Sequence, residues 1–170
     1  MSHCPEIRLA DVDEGMLELL LELARLDAMP DEVSPPLGSG TGWNAERVQW
    51  FRAYHRGAAN GLDGLAGEKS WAVLCDGSPA GSIRLKRASE RDTAETGIWL
   101  GRSFRGHGVG TAALKLVLAE ARRAGLRQVV AHTTAGNAGA QRLLRGAGAV
   151  LTHDGGGAVS AAVALPSAWQ

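Results

Sequence analysis

The chain has 170 residues, of which 45% are hydrophobic and 23 are glycine, and its 18 basic and 18 acidic side chains cancel at neutral pH. This composition predicts one globular domain over residues 1–170 with a buried core, and it excludes a collagen-like or low-complexity chain. The balanced charge provides no general attraction to nucleic acids or anionic membranes, and no run of Lys and Arg supplies a local one.

The sequence offers no pattern typical of export, membrane insertion or metal binding. The longest apolar runs are far shorter than the roughly 20 residues that a membrane helix needs, and residues 1–6 do not resemble a signal peptide. Cys4 and Cys75 are the only cysteines, without C-x-x-C spacing or a histidine cluster beside them. We therefore expect a cytoplasmic protein with two free thiols and no metal site.

Hydrophobic periodicity predicts the elements at the start of the chain. Residues 6–10 alternate as a short strand does. Asp11 and Glu14 have the spacing of a capping box, and the apolar face that follows predicts a helix ending before Pro30. Proline and glycine are frequent in residues 29–42, which is typical of a loop.

A second helix is predicted to begin at Asn44, a residue type that favours the N-cap position. Four aromatic residues lie on this helix or just before it, namely Trp43, Trp50, Phe51 and Tyr54. Their helical spacing favours packing in the core, although the same side chains would also suit the wall of a substrate pocket.

The rest of the chain alternates strands and helices. Period-two alternation from residue 70 to residue 85, broken by a turn at residues 76–79, predicts an antiparallel hairpin. The later predicted elements are strand 93–100, helix 111–124 closed by Gly125, strand 127–133, helix 137–147, and strands 149–153 and 158–165. The order βααβββαβαββ contains no repeat and no long linker, so it predicts one α/β domain.

Charge is distributed unevenly along the chain. Residues 1–68 hold 5 basic and 12 acidic side chains, a net charge of −7, whereas residues 69–170 hold 13 basic and 6 acidic side chains, a net charge of +7. The two halves can simply complement each other when packed. Alternatively, they can form one site that faces both an anion and a cation.

Residues 105–111, Arg-Gly-His-Gly-Val-Gly-Thr, join a predicted strand to a predicted helix. Successive backbone N–H groups and the positive end of the helix converge there, so the segment can hold an anion, and glycine lets a phosphate approach the main chain. No Gly-Lys-Ser/Thr follows, which excludes a Walker loop, and Thr111 replaces the third glycine of a dinucleotide loop. A tight turn without a ligand is the alternative interpretation.

Residues 98–110 resemble the acetyl-CoA segment of the GCN5-related N-acetyltransferase (GNAT) family. They read Ile-Trp-Leu-Gly-Arg-Ser-Phe-Arg-Gly-His-Gly-Val-Gly and contain the family pattern R-x-x-G-x-G. The element order also resembles that of the family from end to end. This resemblance implies a GNAT-like α/β fold with a mixed, mostly antiparallel sheet flanked by helices.

A second signature of the family, N-x-x-A-x-x-L-Y-x-x-x-G-F, is partly present. Its matching residues are Asn137, Ala140, Leu143 and Gly148. The sequence departs from the signature at Leu144, which replaces the tyrosine, and at Ala149, which replaces the phenylalanine.

The resemblance implies where acetyl-CoA binds. In the family, the backbone amides of R-x-x-G-x-G hold the diphosphate. That role falls on Arg105, Gly106, His107, Gly108, Val109, Gly110 and Thr111. The strand ending at Leu100 is the one that the family pairs with pantetheine. Asn137 has two compatible interpretations, a ligand contact and an ordinary N-cap.

Residues 71–73 and the strand at residues 95–100 resemble the GNAT branch that acetylates the N-termini of ribosomal proteins. That branch also contains acetyltransferases for drugs and small amines. The branch therefore leaves the acceptor open.

Transfer of an acetyl group to an amine needs a base for the amine proton, a donor for the oxyanion and a departing thiolate. Glu95 is the best candidate base, because alternation places it on one face with Gly97 and Trp99, where its carboxylate could order a water beside the amine. A solvent-facing or ion-paired carboxylate is the alternative interpretation of Glu95. His107, within the loop, and His132, at the end of a strand, are weaker candidates.

Leu144 cannot donate a proton as the family's usual general acid, a tyrosine, does. Tyr54 is the only tyrosine of the chain. Because a thiol has a pKa of about 8.5, water or the substrate ammonium can suffice as the acid. The missing tyrosine also supports a second function, a CoA-binding sensor or interaction domain without catalysis.

The family generally forms its acceptor pocket near the loop at residues 29–42. Asp27, Asp31 and Glu32 lie in this region and favour a cationic acceptor, such as a polyamine, an aminoglycoside or a basic peptide N-terminus. The sequence thus predicts a metal-free N-acetyltransferase that uses acetyl-CoA and acts on a primary amine. Whether the protein forms a homodimer is left open.

Overall fold

Seven strands form one sheet in the computed structural model, which describes residues 4–166. The strands are β1 (Ile7–Asp11), β2 (Glu68–Cys75), β3 (Ser78–Arg87), β4 (Thr93–Leu100), β5 (Gln128–Thr134), β6 (Val150–His153) and β7 (Ala158–Ala164). The helices within these residues are α1 (Glu14–Asp27), α2 (Pro30–Val33), α3 (Ala45–Ala58), α4 (Val109–Arg123) and α5 (Ala138–Gly146). The predicted α/β class and element order are confirmed, with α2 as a short addition. Residues 1–3 and 167–170 of the predicted domain lie outside the described residues.

The sheet is antiparallel except at one place. Its strand order is β1-β2-β3-β4-β5-β7-β6, and only β4 and β5 run parallel among the described strands. These two strands pair over three residues, Thr93–Glu95 with Gln128–Val130, and then part. Beyond Glu95, β4 pairs with β3 alone among the described residues, which leave one edge of β4 free there in the middle of the sheet.

Helix α1 begins after Asp13, whose side chain accepts a hydrogen bond from the Met16 amide at 2.8 Å. The predicted capping box at Asp11 is wrong, because Asp11 still belongs to β1 and its ladder with β2. The helix ends at Asp27, before Pro30 as predicted.

Helix α2 lies inside the stretch 29–42, which the sequence predicts as a loop. Pro30 occupies its first turn, where the missing backbone N–H costs no hydrogen bond. The Ser34 amide closes the turn on the Pro30 carbonyl at 2.8 Å. Composition misses this helix because proline is typical both of loops and of helix starts.

Two asparagines cap helices as predicted. Asn44 accepts from the Arg47 amide at 2.8 Å at the start of α3, and its side-chain amide donates to the Leu37 carbonyl at 2.8 Å. Asn137 accepts from the Ala140 amide at 3.0 Å at the start of α5. Both caps satisfy an amide that has no partner inside its helix.

Hydrophobic side chains are buried on both faces of the sheet. The larger cluster packs strand residues such as Trp71 and Val73 against α4 and α5. The smaller cluster packs α1 and α3 against the opposite face, around Phe51 and Ala72. Both predicted thiols are free, and Cys75 packs beside the larger cluster.

Candidate functional site

The start of α4 faces a cleft beside the free edge of β4. The amides of Val109, Gly110 and Thr111 have no acceptor inside the helix, because a helix cannot satisfy its first N–H groups. The first bond of the helix joins the Ala112 amide to the Gly108 carbonyl at 3.1 Å. The cleft therefore receives backbone donors together with the positive end of the helix dipole.

The glycines of this loop serve two different purposes. Gly106 and Gly108 have φ angles of +77° and +80°, and an added Cβ would meet no atom within 4 Å. Backbone conformation is thus the reason for glycine at these two positions. At Gly110, in contrast, a Cβ would lie 2.3 Å from Cδ1 of Leu143, so this glycine allows α5 to pack closely on α4.

The cleft has a volume of about 630 Å³ and lies between β4, the start of α4 and α5. It is lined by Glu32, Ile98, Trp99, Leu100, Arg105, Gly106, Gly108, Gly110, Thr111, Asn137, Gly139, Ala140, Arg142 and Leu143. The structure therefore brings together seven of the nine residues predicted for the cofactor. His107 is exposed on the loop and Val109 is buried in the core, and neither lines the cleft.

The sequence reasoning missed Arg142, the cationic side chain that α5 places at the cleft. A signal was available, because residues 139, 142 and 143 have the spacing of one helix face. The buried Gln141 fixes α5 beside the parted strands, since its side-chain amide donates to the carbonyls of Thr134 at 2.9 Å and Ala135 at 3.0 Å.

Two acidic residues from the first part of the chain contact the loop after β4. Asp27 accepts from the Ser103 amide at 3.0 Å, and this hydrogen bond lowers the pKa of Asp27. Glu32 forms an ion pair with Arg105. The Arg105 guanidinium also donates to the Leu100 carbonyl, from Nε at 3.0 Å and from Nη2 at 2.8 Å. The Arg105 side chain is thus held at the end of β4.

A second cavity of about 520 Å³ lies between α2, α3 and the sheet. Its polar and charged lining residues are Asp31, Glu32, Ser34, Tyr54, His55, Glu68, Ser82, Arg84, Lys86 and Glu95. Glu32, Ile98 and Trp99 line this cavity and the cleft alike. The two spaces therefore meet at the end of β4.

Strand register builds the charged floor of the second cavity. Glu68, Lys86 and Glu95 lie opposite one another on β2, β3 and β4. Arg84 reaches both carboxylates, with Nη1 3.7 Å from Glu68 Oε2 and Nη2 3.4 Å from Glu95 Oε1. A Cβ at Gly97 would lie 3.0 Å from Arg84 Nε, so glycine leaves room for the guanidinium over β4.

Helix α3 supplies the wall above this floor. The Tyr54 hydroxyl donates to Glu68 Oε2 at 2.6 Å, and burial together with Glu68 raises the pKa of Tyr54, so the phenol stays protonated. His55 Nδ1 lies 2.9 Å from Ser70 Oγ. Burial lowers the pKa of His55 to about 4, so the ring is neutral near pH 7.

The predicted aromatic residues divide between core and cavity. Trp50 stacks on Tyr54 with 5.2 Å between ring centroids, and both line the second cavity. Phe51 also lines it but is 1% exposed and belongs to the core. Trp43 packs against the smaller core cluster. Core packing therefore holds for Trp43 and Phe51, whereas contact with a substrate stays a prediction for Trp50 and Tyr54, which line the cavity.

Of the three candidate bases, the structure brings only Glu95 to either space. Its side chain is 40% exposed and paired with Arg84, so it faces the cavity and is also ion-paired. His107 and His132 are exposed and line neither the cleft nor the second cavity. Leu144 is buried in the core, so the position of the family's tyrosine does not reach the cleft here.

The three acidic residues predicted to attract the acceptor all have partners inside the protein. Asp27 and Glu32 contact the loop after β4. Asp31 pairs at 2.9 Å with Arg47, which is only 2% exposed. These acids therefore act first as structural contacts.

Within residues 4–166, no cluster of three or more His, Cys, Asp or Glu side chains could hold a metal ion. None of the helices in that range is long and apolar enough to cross a membrane.

Comparison with known proteins places this geometry in a family. The family model for an acetyltransferase (GNAT) domain matches residues 22–150. No curated protein matches the sequence.

Several solved structures share the fold. RimJ of Mycobacterium smegmatis in complex with CoA-disulfide has a TM-score of 0.72 at 19% identity, over 93% of this chain and 81% of RimJ. The GNAT domain of S. lividans PAT has a TM-score of 0.70 at 19% identity, over 95% of this chain and 90% of that one. RimL, a ribosomal L7/L12 alpha-N-protein acetyltransferase in complex with coenzyme A, has a TM-score of 0.66 at 18% identity, over 94% of each chain.

The family model spans most of the chain, and the neighbours reproduce the sheet and its helices over nearly the whole length. The family predicted from residues 98–110 is confirmed, and the neighbours include a ribosomal-protein acetyltransferase, in line with the branch resemblance. The chain belongs to the GNAT family of acetyltransferases.

Proposed function

We propose that the protein transfers an acetyl group from acetyl-CoA to a primary amine. The observation that carries this proposal is the meeting of two spaces at Glu32, Ile98 and Trp99. The cleft offers backbone donors suited to a phosphorylated ligand, and the second cavity offers carboxylates suited to an amine. The CoA ligands of RimL and RimJ support the same use of the cleft.

In the cleft, the free amides at the start of α4 are suited to the diphosphate of acetyl-CoA. Arg142 adds a cation for its phosphates. Past Glu95, the main chain along the unpaired edge of β4 can form hydrogen bonds with an extended pantetheine chain, in the way that it would with a neighbouring strand. For His107 and Val109, only the backbone amides are proposed to contact the diphosphate, and not the side chains.

In the reaction, the amine nitrogen attacks the thioester carbonyl carbon, the C–S bond breaks, and the CoA thiolate leaves. Glu95 is proposed to receive the amine proton. Ile98 lies three positions after Glu95 along β4, about 10 Å at 3.3 Å per residue, so ordered water is proposed to carry the proton. Arg84 holds the Glu95 carboxylate towards the cavity.

The thiolate can be protonated without a dedicated acid. Leu144 has no proton to give, and the Tyr54 hydroxyl already donates to Glu68. A thiol pKa of about 8.5 makes CoA a good leaving group, so the proton released by the amine can return through the same water.

The acceptor is proposed to be cationic, because four carboxylates and two cationic side chains line the second cavity. Arginines outside the lining already pair with Asp31 and Glu32. Glu68 and Glu95 share the single guanidinium of Arg84. An ammonium is therefore best accommodated beside these two carboxylates, whereas the positive charge of Lys86 repels an ammonium.

A thiol-release assay tests the proposal. Acetyl-CoA is offered with peptides bearing free N-termini, polyamines, aminoglycosides and amino acids, and CoA release is followed with and without protein. We expect turnover with at least one class and faster turnover with cationic members of that class. Tight CoA binding without turnover on any amine would favour the second candidate, a CoA-binding sensor or interaction domain, which the missing tyrosine supports.

A further inference from the structure

Two contacts tie the region around α2 to the loop that follows β4. Asp27 accepts from the Ser103 amide at 3.0 Å, and Glu32 pairs with Arg105. Arg105 is itself anchored by two hydrogen bonds to the Leu100 carbonyl. The Arg105 guanidinium therefore joins α2 to the end of β4.

Helix α2 cannot keep its position by itself. It has four residues, far fewer than a helix needs to be stable alone. Its two acidic residues have different anchors, since Asp31 pairs with Arg47 of α3 and Glu32 pairs with Arg105. Loss of the Glu32 pair would release α2 from the end of β4, while Val33 would still pack against the smaller core cluster.

Glu32 lies where the two spaces meet, because it lines both together with Ile98 and Trp99. Its ion pair is partly exposed, with 36% of the Glu32 side chain and 41% of the Arg105 side chain accessible. Exposed ion pairs contribute little to global stability. The pair is therefore better suited to placing α2 at the junction than to holding the fold together.

We infer that Glu32 and Arg105 form a positioning pair, which fixes α2 over the junction so that the acceptor amine meets the acetyl group in a reactive orientation. This inference rests on the proposed function. Neither side chain needs to touch the reacting atoms. A misplacement of about 1 Å at a reaction centre can slow a reaction by roughly 100-fold, so the pair should matter for transfer more than for CoA binding.

A double-mutant cycle with Glu32→Gln and Arg105→Gln tests the pair. Glu32→Gln should lower kcat/KM for the acceptor by about 10-fold, while the Kd for CoA stays equal or falls, because a negative charge is removed from the lining of the cleft. In the Arg105→Gln background, the same change should lower kcat/KM less than twofold. The matched control is Glu22→Gln, which removes an exposed carboxylate of α1 and should leave kcat/KM unchanged.

An equal 10-fold loss in both backgrounds would overturn the inference, because Glu32 would then act on the acceptor directly. A Glu32→Gln variant as active as the Glu22→Gln control would overturn it as well.

Hydrogen exchange of residues 28–37 in the free protein provides a readout that needs no turnover. Glu32→Gln should speed exchange there, and Glu22→Gln should not. Unchanged exchange would overturn the inference, whereas a wild-type protein that acetylates no amine would overturn only the proposed function.

Discussion

Replacing Gly108 with alanine should weaken CoA binding by about 5- to 30-fold without unfolding the protein. Gly108 has a φ angle of +80°, which costs an L-residue roughly 1–2 kcal/mol. The loop before it is exposed at Gly106 and His107, so in the free protein it can relax from the strained conformation. Binding must restore that conformation, and 1–2 kcal/mol corresponds to the stated factor in Kd.

Gly125 provides the matched control at the other end of α4. It has a φ angle of +82°, and an added Cβ would likewise meet no atom within 4 Å. Gly125→Ala should lower the free energy of unfolding by a similar 1–2 kcal/mol and leave the CoA affinity unchanged. Titration calorimetry gives the Kd and urea unfolding gives the stability. Wild-type CoA affinity in folded Gly108→Ala would refute the assignment of this turn to the diphosphate.

Three further predictions concern the second cavity. Glu95→Gln should lower kcat by roughly 100- to 10,000-fold near neutral pH with CoA binding retained. If the variant keeps the wild-type rate, and its kcat falls at low pH as in the wild type, Glu95 has only a structural role. Glu68→Gln should raise the KM for a cationic acceptor and Lys86→Gln should lower it, as measured by steady-state kinetics at low salt. A KM that changes in the same direction in both variants would contradict the proposal that the cavity selects a cation. Burial lowers the pKa of His55 from about 6.5 to about 4, so between these pH values the His55 ring is protonated only in the unfolded chain. The free energy of unfolding should therefore fall as the pH drops from about 6.5 to about 4, by at most about 1.4 kcal/mol per pH unit. Urea unfolding at several pH values should show this slope disappearing in His55→Gln and persisting in His132→Gln, whose ring is exposed.

The features that the sequence predicts well are those with local causes. Asn44 and Asn137 cap helices because each side chain reaches an amide three residues ahead. Residues 101–108 join β4 to α4 for an equally local reason, since the alternation ends at Leu100 and glycines follow. Six of the seven predicted residues that line the cleft lie at this boundary, and the seventh, Asn137, caps α5.

The features that the sequence does not predict depend on register and on contacts between distant segments. Arg84 sits between Glu68 and Glu95 only because three strands align, and a shift in pairing between Val73 and Leu74 helps to set that alignment. No local sequence pattern predicts that side chains from three different strands align in this way.

The acids of the α1–α2 region show the same limit. Their composition suggests a free negative surface, yet Asp31 pairs with Arg47, 16 residues away, and Glu32 pairs with Arg105, 73 residues away. The charge of the acceptor therefore cannot be predicted from these acidic residues until the fold shows which of them are already paired.

The parting of β4 and β5 has a consequence for how this protein can change over evolution. The donors that the start of α4 offers to the cleft are main-chain N–H groups, which every residue except proline supplies, so side chains beside them can vary wherever glycine is not required. The second cavity depends instead on individual side chains, above all Glu68, Arg84 and Glu95. One substitution there alters what the cavity admits. Under the proposed function, donor binding should tolerate most substitutions outside the loop glycines, whereas a few substitutions should be enough to change the acceptor.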